Sequence, residues 1–75
     1  MQNVQIASRI KSLCVARKIS INKFLRDSNM RKGLIYDLEK RDRTPSVEIM
    51  GDIADYFNVS IDYLVGRTEN PEVNT

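Results

Sequence analysis

Ser20 to Glu39, SINKFLRDSNMRKGLIYDLE, is the stretch on which the reading of this chain turns. Serine at position 20 is a favoured N-cap, and Ile21, Phe24 and Leu25 follow at helical spacing, with Ser28 at the end of the same stripe. Lys23 falls where a capping box would hold glutamate, so that cap is incomplete. Asn29 fits a turn, because asparagine tolerates the left-handed backbone better than most residues. A further helix is expected from about Arg31 to Lys40. At about 100° per residue it puts Leu34, Ile35 and Leu38 on an inward arc and Lys32, Gly33, Tyr36, Asp37 and Lys40 on the opposite one. The stretch therefore reads as two short helices joined by a tight turn.

The flanks are helical too, and no period-2 strand pattern interrupts them. Asn3 is expected to cap a first helix that carries Ile6, Ile10 and Leu13 to about Arg17. After a polar loop, Arg41 to Pro45, Ser46 caps a fourth helix with the stripe Val47, Met50, Ile53, Ala54 and Phe57, closed by Asn58. Ser60 opens a short fifth helix, Ile61 to Val65, which Gly66 ends. The expected organisation is one all-α domain over residues 1–67, a compact five-helix bundle, and a flexible polar tail over residues 68–75 that contains Pro71.

Composition narrows the function. A 75-residue chain buries only roughly 60% of its unfolded surface, which leaves little room for a core and an enclosed active site together. The single cysteine, Cys14, rules out an internal disulfide and reads as a small apolar residue rather than a redox group. With no histidine, a zinc site is not expected, and neither a glycine-rich phosphate loop nor a spaced carboxylate pair argues for an enzyme. No cofactor, small-molecule ligand or membrane segment is indicated, and the chain is expected in the cytoplasm. The net charge of +2 hides a division. Residues 1–43 carry eleven Lys/Arg against four acids, a balance of +7, and residues 44–75 carry one against six, a balance of −5. The basic half suits a polyanion; two solvated helix faces of differing charge would look the same.

A two-helix unit with a short turn is the arrangement that lays its second helix in a DNA major groove. In that setting Lys32 can donate to guanine, Tyr36 can reach a phosphate or a thymine methyl, and Asp37 can accept from cytosine or pair with a neighbouring Lys or Arg. Gly33 within a helix costs roughly 1 kcal/mol against alanine; it is either a tolerated surface glycine or a place where the backbone comes close to DNA. Arg41 and Arg43, in the loop beyond, suit phosphates or solvent. Ser20, Ile21 and Asn22 offer backbone N–H groups at a helix start.

RIKSLCVARKIS, LIYDLE and TPSVEIMGDIADYFNVSIDYLVG together resemble the phage-repressor and Cro family of helix-turn-helix domains, also called the xenobiotic-response-element type, over residues 6–67. The resemblance implies a lambda-repressor-like five-helix DNA-binding domain, sequence-specific binding to double-stranded DNA, and a homodimer on a palindromic operator. It places base contacts on Arg31, Lys32, Gly33, Tyr36 and Asp37, and phosphate contacts on Ser20, Asn22, Lys40, Arg41 and Arg43. Tyr56, Tyr63 and Val65 lie in the region that relatives use to dimerise, though they also suit an ordinary core or surface. The chain departs from the family at Ile21, where glutamine is common, at Asn29 and Arg41, where glycine is, and at Arg31, where a Ser or Thr cap is usual. Cys14 stands where an arginine often pairs with the helix-3 glutamate, which leaves Glu39 to Arg9, Arg17, Arg43 or water. The leading expectation is a transcriptional regulator acting as a repressor; the alternative is a protein-interaction or antitoxin-like module that keeps the fold and binds protein through its acidic half.

Overall fold

The computed structural model describes residues 2–72. Five helices follow in order: α1 (Gln2–Ala16), α2 (Ile21–Asp27), α3 (Leu34–Glu39), α4 (Val47–Phe57) and α5 (Ile61–Leu64). Residues 73–75, the end of the expected tail, lie outside the described residues.

Helix starts follow the serines. Ser20, Ser46 and Ser60 are extended N-caps whose hydroxyls accept from the N–H groups of Lys23, Ile49 and Tyr63 at 3.0, 3.2 and 3.0 Å. Each satisfies one of the N–H groups that a helix start leaves without a partner. Helix ends follow left-handed residues. Lys18, Asn29, Asn58 and Gly66 take φ of 58°, 56°, 55° and 84°. In each case the next residue donates back five positions, as Ile19 does to the Cys14 carbonyl and Met30 to that of Leu25. This is the Schellman arrangement, which pairs carbonyls that the last helical turn leaves open. After α3 the left-handed position is Asp42 (φ 51°), not Arg41 as the family comparison of residues suggested.

α1 is the central element, packed on α2, α3 and α5, while α4 packs on α5. Its buried stripe is Ile6, Ala7, Ile10 and Cys14, with Leu13 half-buried beside it. Phe24 and Leu25 of α2, Leu34 and Leu38 of α3, Met50, Ile53, Ala54 and Phe57 of α4, and Val59, Leu64 and Val65 complete the core. Phe24 is the apolar tie between the α2 side and α4. Its ring stacks on Phe57 at 5.0 Å and meets the edge of Tyr56 at 5.3 Å.

Several expectations need correction. α1 begins at Gln2, so Asn3 lies within its first turn rather than capping it, and its side chain is buried. Val47, assigned to the inward stripe of α4, is 82% exposed, because the first turn of that helix, Ile49 included, overhangs the core. The described part of the expected tail, residues 68–72, meets the domain at two points. Ser60 N–H donates to the Pro71 carbonyl at 3.0 Å, and Arg9, seated 4.0 Å over the Tyr63 ring, pairs with Glu69 at 3.4 Å. Val65 is buried, while Tyr56 in the aromatic cluster and Tyr63 under Arg9 are half-buried and keep some surface.

Candidate nucleic-acid interface

The second helix of the central unit is shorter than its sequence suggested, and the difference relocates three residues. α3 starts at Leu34, with Gly33 as its N-cap and no side-chain cap. Arg31 and Lys32 belong to the connection that leads into it, where Leu34 N–H donates to the Arg31 carbonyl at 3.1 Å in a tight turn. Gly33 therefore does not weaken a helix interior. Its φ of −84° is open to any residue, and a Cβ built there meets nothing within 4 Å. No requirement of the fold selects glycine at this position.

Around this connection the surface is basic. Arg31, Lys32, Tyr36, Lys40, Arg41 and Arg43 are exposed, as are Ser20 and Asn22 at the start of α2. Tyr36, 56% exposed, carries the Arg41 guanidinium 5.5 Å from its ring centre. Asn22, Arg26, Met30 and Lys32 line a groove between α2 and the connection, floored by Leu25. Ile21 is half-buried and packs against the core, which accounts for an apolar residue there.

Asp37 is not on the exposed arc. It is 6% exposed, with Arg31 ion-paired to its Oδ2 and Arg41 Nε 3.9 Å from its Oδ1. A carboxylate so placed, already engaged by arginine, is not free to accept from a base. The expectation of a direct Asp37 base contact gives way to the paired alternative.

The other acids of the basic half are engaged too. Glu39 pairs with Lys11 at 2.6 Å, not with Arg9, Arg17 or Arg43. Asp27 accepts from Lys23 and from the Tyr56 hydroxyl, both at 3.0 Å. Those hydrogen bonds, Lys23's first, hold its carboxyl below the usual value of 3.8. Asp42 accepts from Asn3 Nδ2 at 2.9 Å, and the same amide donates to Thr44 Oγ1 at 3.1 Å. Asn3 thus ties the start of α1 to the loop that carries Arg41 and Arg43, a contact across 39 residues that no sequence signal marks. Arg17 was missed as well. It donates to the Phe57 carbonyl and, at 3.5 Å, to that of Tyr56, closing the C-terminal end of α4. A cation near a helix C-terminus is the one cue that would have found it. Cys14 is buried, and loss of water pushes its thiol pKa up, as expected of a packing residue.

A basic surface centred on a two-helix unit is the geometry by which a protein grips a nucleic-acid backbone. A helix-turn-helix family model matches residues 10–64, which include all of α2, α3 and α4. The chain belongs to the helix-turn-helix family of the Cro and phage-repressor type. This is a family of DNA-binding regulators and generally not of enzymes. No match was found among characterised proteins or among solved structures. None of the described helices is long and apolar enough to cross a membrane.

Proposed function

We propose that this helix-turn-helix protein is a sequence-specific transcriptional repressor in the cytoplasm that reads operator DNA with the Arg31–Gly33 connection and the exposed side of α3. The observation that carries this reading is the fate of the four acids in the basic half. Asp27, Asp37, Glu39 and Asp42 are each held by a partner within the chain, while Lys32, Lys40 and Arg43 form no ion pair among the described residues. Such a surface attracts phosphates with little internal opposition.

Arg31, Lys32 and Tyr36 then reach base edges, and Gly33 lets the backbone approach the DNA without a side chain between them. Ser20, Asn22, Lys40, Arg41 and Arg43 hold phosphates and fix the register. The longest dimension of the molecule is 31 Å. Two half-sites lie about 34 Å apart, so a palindromic operator takes two copies.

Selection of bound duplexes from a random pool, followed by gel-shift titration at low salt, tests this. A recovered consensus with half-sites one turn apart is expected. Absence of any binding at micromolar protein would refute DNA recognition and favour a protein partner. The exposed acids Glu48, Asp52, Asp55 and Asp62, beside exposed Val47 and Ile61, are the surface such a partner would meet. Gly33→Ala separates the two explanations of that glycine: unchanged stability with weaker operator binding supports close approach, and unchanged binding refutes it.

A further inference from the structure

We propose that Asp37 is a positioning residue that sets DNA sequence preference by bracing Arg31, an inference that rests on the DNA-binding reading above. A buried carboxylate is costly unless it is paired and hydrogen-bonded. The backbone of Asp37 has no need of its side chain. Its N–H donates to the Gly33 carbonyl at 2.8 Å, and its own carbonyl accepts from Arg43 N–H at 3.0 Å. The carboxyl group serves the arginines instead. It lies in a groove shared with Arg31, Leu34, Arg43, Thr44 and Pro45.

Arg31 is otherwise a free side chain, 69% exposed, on a connection rather than on a helix. An unbraced arginine there would spread over many rotamers and reach phosphates and bases alike. The ion pair engages Nη2 of the guanidinium. Its remaining N–H groups stay free in a planar fork, the geometry that pairs with two acceptors of one base. Arg41, with its Nε 3.9 Å from the other carboxylate oxygen, is a second cation beside the same anchor. The charge that would repel phosphates is thus hidden and used to aim a cation.

The test is a double-mutant cycle on the selected operator and a scrambled duplex, read by fluorescence anisotropy. Asp37→Asn removes the charge and keeps the shape. The ratio of scrambled to operator Kd is expected to fall roughly 10- to 100-fold, as loss of one well-aimed base contact does, while binding to scrambled DNA holds or tightens. In an Arg31→Ala background the same change should move the ratio less than about twofold, because coupled residues do not add. Equal loss on both duplexes, or an undiminished effect without Arg31, would mean a structural role and overturn the proposal. Arg31→Ala alone, an exposed change that leaves the fold in place, must also lower the ratio; a full ratio in that variant overturns the proposal even if Asp37→Asn fails to fold. Failure of the unaltered chain to select any duplex would instead refute the DNA reading beneath it.

Discussion

Replacing Phe24 tests whether the DNA-facing unit depends on α4 for its place. Phe24 is fully buried on α2, and its ring meets Phe57 at 5.0 Å and Tyr56 at 5.3 Å. Phe24→Leu keeps most of the volume and removes both aromatic contacts, each worth about 0.5–1.5 kcal/mol beyond area burial. With the small void added, the expected loss is about 2 kcal/mol. Phe24→Ala, which leaves a cavity, should lose about 3–5 kcal/mol. A 75-residue domain at the usual density of stability has only about 4–11 kcal/mol in all. The leucine variant should therefore fold with Tm lowered by roughly 8–16 °C, and the alanine variant should lie near its unfolding limit. Urea titration followed by circular dichroism measures this, with m unchanged and the midpoint lowered by about 2 M for the leucine variant. A loss under about 0.5 kcal/mol, the range of ordinary surface changes, would refute the reasoning and mean that the α2 side is held without the aromatic cluster.

Three further outcomes are expected. Arg43→Ala should weaken operator and random duplex alike and lower the slope of log Kd against log salt by about 0.9, whereas a selective loss on operator would make Arg43 a base reader. Lys18→Gly should raise Tm by a few degrees, because lysine at φ 58° carries a left-handed cost of roughly 1 kcal/mol that glycine avoids; a lower Tm would refute this. The Asp27–Tyr56 bond should make stability fall at both pH extremes. The Asp27 carboxyl is depressed by hydrogen bonds from Lys23 and Tyr56, so its contribution is complete above 3.8 and lost as acid protonates it. The Tyr56 pKa is raised, chiefly by loss of water and then by the bond to Asp27, so its contribution is complete below 10.0 and lost as the phenol ionises above that. Asp27→Asn should flatten the acid limb of a stability–pH curve below about pH 4, and an unchanged limb would refute the assignment.

The elements were legible because their boundaries are written locally. Three serines start helices, and Asn29, Asn58 and Gly66 end them, all by bonds that span a few residues. The site was less so. The start of α3 moved to Leu34 because helical spacing counts apolar positions and is blind to a tight turn at Arg31–Gly33. Asp37 looked exposed on the wheel, since a wheel knows neither the loop that folds over α3 nor the arginines that make its burial tolerable. The links between Asn3 and Asp42 and between Lys11 and Glu39 join residues 39 and 28 positions apart, a separation over which a single sequence carries no pairing signal.

The left-handed helix ends have a kinetic consequence. Each Schellman stop needs only a six-residue segment, so the ends of α1, α2, α4 and α5 are specified by local sequence and need no distant contact to define them. Helices form and melt in roughly a microsecond or less, so docking selects helices whose ends are already marked in the sequence. Such a search is short, as in other helical domains dominated by local contacts, which fold in microseconds to milliseconds. Altering Asn29 or Asn58 would let a helix overrun its stop and turn that search into one for the right lengths as well as the right places.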